Sequence, residues 1–273
     1  MINFTPIPVL FSIGSFKVYS FGFMAALAVI IFLFLVLKEA KKRKIDQDKV
    51  LGLILFITIG SLIGARLLYI LLNPSQFHSF IDYINLWKGG LSGAGTLIFG
   101  TLAAILYAKI SKTDFWKMMD LIAPYLALAF AIGRIGCFLR GCCFGLPTTM
   151  PWGIVYQGES FASQAGLSGA LHPTQLYHSI IDFFIFFVLL KLSKKKYRLE
   201  NNKIESKYAF FNITSSIFFM FILLYSAERF LTDFFRWHPA NEYALGFTIS
   251  QLIYIGIFIV AFLILKIKEK KKY

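Results

Sequence analysis

Gly133–Gly145 reads GRIGCFLRGCCFG. It closes the apolar run Leu121–Ile132 and carries Arg134, Arg140 and all three cysteines of the chain, Cys137, Cys142 and Cys143. An arginine at bilayer depth costs about 2.5–3.5 kcal/mol on insertion scales, so it faces a cavity, a partner or an anion. Glycines let the backbone leave helical geometry and approach a ligand. Irregular backbone at that depth is tolerated only where protein buries it or where it lines a wet cavity. The run therefore reads as the floor of a polar site inside a membrane protein. The plainer alternative is a helix end whose Arg134 snorkels to the headgroups.

Composition supports the membrane setting. Of 273 residues, 58% are hydrophobic and 31 are Phe, with a mean hydropathy of +0.68, whereas soluble domains are about 45–50% apolar. The formal net charge is +14, but the cations sit in alternate loops, so the balance argues for membrane topology and against a nucleic-acid partner. An odd number of cysteines makes no disulfide framework. Adjacent Cys142 and Cys143 are a poor pair on geometric grounds, although a Cys137–Cys142 bridge is open to a loop that folds back. A zinc site normally has four ligands and no second Cys/His cluster is evident, so small residues packed at a helix end are the expectation, with no metal and no cofactor. The N-terminus lacks the basic start and small-residue cleavage site of a signal peptide.

Seven apolar stretches are long enough to cross a core of about 30 Å: about Phe16–Leu37, Val50–Leu72, Gly93–Lys109, Met118–Phe138, Thr174–Leu192, Tyr208–Arg229 and Gly246–Leu265. The expected fold is an all-α integral membrane protein of seven transmembrane helices, one domain over residues 1–273, with a loop or cap region at about 139–173. Met1–Ser15, broken by Pro6, Pro8 and Gly14, reads as a short surface helix or turn. Gly60 and Gly64 suit close helix contact. Most of the 28 lysines and arginines fall in the loops after the first, third and fifth stretches and in the tail. The opposite side holds Lys17, Lys88, Arg134, Arg140, Arg229 and Arg236. The positive-inside rule then puts the N-terminus outside and the C-terminus in the cytoplasm.

On the outer side polar groups converge. Arg134 and Arg140 end the fourth stretch. Tyr225, Arg229, Asp233 and Arg236, spaced four, four and three, share one helix face, where an Arg–Asp pair is expected. His172, Pro173, Thr174, Gln175 and Tyr177 open the fifth stretch, and Arg66 and Tyr69 lie toward the outer end of the second. Guanidinium forks suit phosphate, so several of them at headgroup depth point to a phospholipid substrate. The competing reading is arginines that only touch headgroups or pair with Asp233 and Glu228. His172 alone is as readily a cap as a base.

The chain resembles the prolipoprotein diacylglyceryl transferase family. The resemblance covers most of its length and rests on GARLLY (Gly64–Tyr69), GGLSGAG (Gly89–Gly95), GRIGCF (Gly133–Phe138), HPTQLY (His172–Tyr177), YSAERFLTDFFR (Tyr225–Arg236) and TISQL (Thr248–Leu252). It implies a multi-pass protein of the bacterial cytoplasmic membrane. Such a protein moves diacylglyceryl from phosphatidylglycerol to the thiol of a prolipoprotein lipobox cysteine, forming a thioether and releasing glycerol phosphate. It further implies that Arg134 and Arg229 engage the phosphate, supported by Arg66, Tyr225, Asp233 and Arg236. Tyr69, Arg140, Gln175 and Tyr177 join the substrate-binding candidates. The chain departs from the family at Ala94 (usually His), Cys137 (Asn), Cys142 (Glu), His178 (Glu) and Phe21 (Tyr). The phosphate-binding half of the site is retained, and the proton-handling half is replaced. Cys142 or Cys143 as acceptor or nucleophile, or His172 or His178 as a relocated base, are the candidates to fill it. A phospholipid-binding relative without catalysis and a transferase with another acceptor are the alternatives.

Overall fold

The computed structural model describes the chain except for residues 15, 75, 76, 78, 80, 81, 84–89, 91, 159, 205–208 and 271–273. Expectations that involve Lys88, Gly89, the start of the sixth stretch at Tyr208 and the end of the tail lie outside the described residues. The long helices are α1 (Ser20–Lys42), α2 (Gln47–Leu72), α3 (Gly93–Ile110), α4 (Phe115–Arg140), α6 (Thr174–Asn201), α8 (Ser216–Asp233) and α9 (Ile249–Lys270). Shorter helices among the described residues include α5 (Phe161–Gln164) and α7 (Ala209–Asn212). Among the described residues, α1, α2, α4, α6 and α9 are long and apolar enough to cross a membrane. The chain divides into two compact units, residues 37–118 and residues 1–36 with 119–273.

In the smaller unit α2 packs on α3. The Asp46 carboxylate caps α2 by accepting from the amides of Asp48 and Lys49, and Ser92 caps α3. The two helices approach through the small residues expected to allow it. A Cβ on Gly64 would lie 2.1 Å from Phe99 Cβ, and one on Gly95 would lie 2.2 Å from the Gly64 carbonyl. Backbone contact this close admits no side chain.

In the larger unit the N-terminal segment is not a helix or turn. Ile2–Phe4 (β1) pairs in parallel with Ile154–Tyr156 (β4), which pairs with Ala170–Leu171 (β5). Val9–Ile13 (β2) and Phe16–Tyr19 (β3) form an antiparallel hairpin. The segment is rich in β-branched and aromatic residues, which favour extended backbone, and Pro6 and Pro8 deny it a helix. The cap region at about 139–173 is thus built around a three-stranded sheet, α5, and a core of Phe144, Ala162 and Leu171 with Trp237 packed against it.

The sixth stretch is not continuous. It breaks between α7 and α8, with Ser215 left-handed at φ 76°. The start of α8 is capped from another helix: Asp120 on α4 accepts from the amides of Ser215 (3.0 Å) and Phe218 (2.9 Å). Lys196 Nζ on α6 completes the knot, donating to Asp120 Oδ2 at 2.7 Å and to the Ile213 carbonyl at 2.6 Å. α6 stays helical to Asn201, beyond the expected end of the span at Leu192. α9 begins with a capping box. The Thr248 hydroxyl accepts from Gln251 N (3.0 Å) while Gln251 Oε1 accepts from Thr248 N (2.9 Å), which explains the TISQL segment in backbone terms. α8 packs on both α6 and α9.

Candidate active site

The cysteine run is a helix stop that doubles back. Cys142 N donates to the Cys137 carbonyl (3.1 Å) and Gly141 N to that of Phe138 (2.9 Å), with Gly141 left-handed at φ 78°. This is the 6→1, 5→2 pattern of a Schellman end, and Gly suits its left-handed position. Cys143 then also adopts φ 60°, a conformation that favours glycine and costs a side-chain-bearing residue about 1–3 kcal/mol. The start of α6 holds the turn. Thr174 Oγ1 donates to the Cys143 carbonyl (2.8 Å), and Gln175 Nε2 donates to the Cys142 carbonyl (2.6 Å) and the Tyr156 hydroxyl (3.0 Å). As a result the Sγ atoms of Cys137, Cys142 and Cys143 lie within 4.8 Å of one another. Hydrogen bonds from Cys137 and Cys142, with Arg236 and Arg134 adding, hold the Cys143 thiol well below the usual thiol range. Burial pushes the Tyr156 hydroxyl up to about 12.

α8 presents Tyr225, Glu228, Arg229, Thr232 and Asp233 inward. Arg229 Nη1 lies 3.0 Å from His178 Nε2 on α6, and the other ring nitrogen of His178 bonds Glu228 Oε1. Arg229 also sits over the Tyr254 ring, 5.4 Å from its centroid. His178, Asp182 and Tyr225 each lie within electrostatic reach of both Arg134 and Arg229. Arg134 itself has no hydrogen-bond partner among the described residues. Nor do four buried side-chain atoms: Asp182 Oδ1, Glu228 Oε2, Arg229 Nε and Arg236 Nε. Buried polar atoms are nearly always paired. An unpaired set from α4, α6, α8 and the residues just beyond α8 describes a site arranged for a polar ligand.

The expected Arg–Asp pair on α8 does not form. Asp233 accepts instead from His238 Nε2 (3.0 Å) and from the Thr248 hydroxyl, which ties the end of α8 to the start of α9 and leaves Arg236 free of it. Arg140 is exposed and lies over the Phe161 ring at 5.1 Å. His172 Nδ1 meets the Tyr177 hydroxyl at 3.0 Å, and that hydroxyl also accepts from Trp152 Nε1 at 2.7 Å. Burial pulls the His172 imidazole below the ordinary histidine value. Arg66 and Tyr69 belong to the smaller unit. There Arg66 donates to the carbonyls of Tyr83 (3.1 Å), Gly90 (2.9 Å) and Asp82 and sits over Phe77, holding its own loop.

Asp182, Thr232 and His238 are absent from the candidates that the sequence offers. Asp182 carries a readable signal, being an acidic residue inside an apolar span and one helical turn from His178, and intramembrane ionisable residues are functional by default. Thr232 carries none, because its partner His178 comes from α6, and His238 pairs locally, with Asp233 and Glu242.

The chain matches the family model described as prolipoprotein diacylglyceryl transferase over residues 8–267. It is 32% identical over 265 residues to the phosphatidylglycerol–prolipoprotein diacylglyceryl transferase of Clostridium tetani, covering 97% of this chain and 99% of that protein. It is 35% identical over 270 residues to phosphatidylglycerol–prolipoprotein diacylglyceryl transferase 2 of Clostridium perfringens, covering 96% of each. Against the enzyme of that name from Trichormus variabilis the identity is 36% over 189 residues, 69% of this chain and 67% of that protein.

Proposed function

The chain belongs to the prolipoprotein diacylglyceryl transferase family, and from that premise we propose that it transfers diacylglyceryl from phosphatidylglycerol to the lipobox cysteine of a prolipoprotein, releasing glycerol phosphate. The observation that carries this is the unpaired set around Arg134, Arg229 and Arg236. A phosphodiester supplies acceptor oxygens to Arg134 and to the unpaired Nε atoms of Arg229 and Arg236. As the glyceryl C–O bond breaks, negative charge grows on the phosphate oxygen, and fixed guanidiniums in a water-poor site stabilise it without reorganising. His178 has both ring nitrogens engaged, so its part is to orient Arg229 rather than to take a proton.

The lipid's acyl chains have a seat beside this headgroup site. A groove of about 420 Å³ runs between α8 and α9, lined by Phe219, Ile222, Leu252, Ile253, Gly256, Ile257, Val260, Ala261 and Ile264. Its near end, Leu252 and Ile253, adjoins the Tyr254 that stacks on Arg229. In this reading α3 and α8, each 18 residues and so about 27 Å long, complete seven spans. The lysine-rich loops face the cytoplasm, and the arginine site opens at the outer leaflet of the cytoplasmic membrane.

The test is transfer in proteoliposomes from radiolabelled phosphatidylglycerol to a synthetic lipobox peptide. The expected result is a diacylglyceryl mass increment on the peptide cysteine with stoichiometric glycerol phosphate. Glycerol phosphate without peptide modification would show a different acceptor. Neither product would leave a phospholipid-binding relative without catalysis.

A further inference from the structure

We propose that Cys137, Cys142 and Cys143 together bind a zinc ion, and that its fourth position takes the acceptor thiol as a thiolate. The inference rests on the transfer reading above and supplies one way to ionise the attacking sulfur. The Gly89–Gly95 run holds no histidine, and His178 has no free ring nitrogen.

The geometry is that of a ligand set. Three Sγ atoms already lie within 4.8 Å of one another, and a tetrahedral site with Zn–S of about 2.3 Å needs S···S of about 3.8 Å. Shifts of under about one ångström therefore close it. A disulfide would use two of the sulfurs and leave the third unexplained, whereas an ion uses all three. The backbone is committed to the arrangement. The Schellman end brings Cys142 back over Cys137, the left-handed turn at Cys143 delivers the third sulfur, and Thr174 and Gln175 pin both intervening carbonyls. Three thiolates on a divalent ion leave one negative charge, which becomes two when a fourth thiolate binds. Arg134 and Arg236 lie within electrostatic reach of Cys143 and offset it. Three protein ligands and one open position are the mark of a catalytic rather than a structural zinc, and a coordinated thiol is deprotonated outright.

The step balances. On binding, the acceptor thiol gives its proton to water. Its sulfur lone pair forms the C–S bond to the glyceryl carbon as the C–O bond breaks, and both electrons of that bond leave on the phosphate oxygen. The neutral thioether is a poorer ligand and departs. The proton returns to the released glycerol phosphate.

The test uses the full-length protein, purified in detergent under reducing conditions, with Zn²⁺ and then Co²⁺ as probes. About one ion per chain is expected, with the visible bands of tetrahedral cobalt and a near-ultraviolet thiolate-to-cobalt band. C137S, C142S and C143S should each lower bound metal at least about tenfold. Because Cys137 is buried and C137S risks misfolding, the half-buried C142S and C143S decide. Adding a lipobox peptide without lipid should shift the cobalt bands, and the Cys→Ser peptide should not. A parent protein that binds no metal when reduced, or binds it equally in all three variants, overturns the proposal. So does undiminished lipid transfer by metal-free protein, which leaves the transfer reading intact. Metal and peptide binding without any lipid transfer would sustain the site and sink the transfer reading instead.

Discussion

His178 Nε2 accepts from Arg229 Nη1 at 3.0 Å while its Nδ1 faces Glu228 Oε1, so one imidazole separates a cation and an anion that are neighbours on α8. A guanidinium only donates, which makes Nε2 the acceptor and leaves the ring proton on Nδ1 for the carboxylate. Without the ring, Arg229 would be able to swing onto Glu228 and be lost to phosphate. His178→Ala is therefore expected to lower melting stability by about 3 kcal/mol, since a buried charged group loses its partner. It should also raise the lipid KM more than it changes kcat. Equal loss in both, or neither, would show that the ring does not hold Arg229.

Arg134 and Arg229 are expected to resist conservative exchange. Lysine is a compact point charge without the planar fork, so Arg134→Lys and Arg229→Lys should each reduce kcat/KM by about 100-fold or more, the scale seen on removing one charge-stabilising donor. Arg140→Ala, on an exposed side chain over Phe161, should stay within about twofold. Transfer assays on the three variants in one lipid composition compare them directly, and an Arg140→Ala loss matching the others would redraw the site.

At the other end of the larger unit, Asp120 and Lys196 are 6% and 5% exposed and pair at 2.7 Å. Asp120 also caps α8. Asp120→Ala removes the close carboxylate from a buried ammonium and the acceptor from two helix-start amides, and breaking such a pair costs about 3–5 kcal/mol. The protein that remains folded should transfer lipid at the parent rate, because the network touches no arginine of the site. Thermal unfolding and specific activity per folded molecule separate the two effects.

Five of the seven apolar stretches, as helices long enough to cross a membrane, and the α8 face were legible because each rests on one short-range period. Tyr225, Arg229 and Asp233 share a face whatever surrounds them. Partner choice was not legible. Asp233 turns to His238 and Thr248 rather than to arginine because those groups arrive from the next chain segment, and no spacing on α8 records them. The convergence of the cysteines depends on left-handed turns at Gly141 and Cys143, of which the sequence advertises only the glycine. β1 was invisible for a similar reason: its three residues are stabilised by Ile154–Tyr156, far along the chain.

Gly145 marks where the cysteine turn meets the chain beyond α8. Its amide donates to the His172 carbonyl at 2.8 Å, and an added Cβ would lie 2.4 Å from the Phe235 carbonyl and 2.6 Å from His172 Cβ. The backbone on both sides cannot rotate away. Gly145→Ala should cost about 1–3 kcal/mol, the usual penalty of overpacking, and should lower transfer by displacing the cysteine turn. Normal melting with normal activity would mean that the three segments can part without consequence.

The groove between α8 and α9 offers a test of the lipid seat that leaves the headgroup site alone. Gly256 lines it, and a Cβ added there would meet nothing within 4 Å, so a larger side chain fits without clash and occupies the groove itself. In a bilayer an acyl chain gains little by leaving other acyl chains, so the groove acts through position rather than affinity. Gly256→Leu should then displace the glyceryl carbon from the arginines and reduce kcat/KM about tenfold for long-chain phosphatidylglycerol, since small misplacements are costly in a positioned reaction. The loss should shrink for short-chain lipid, which does not reach the filled segment, and Gly256→Ala should be nearly silent. A Gly256→Leu loss that ignores chain length would place the acyl chains elsewhere on the protein.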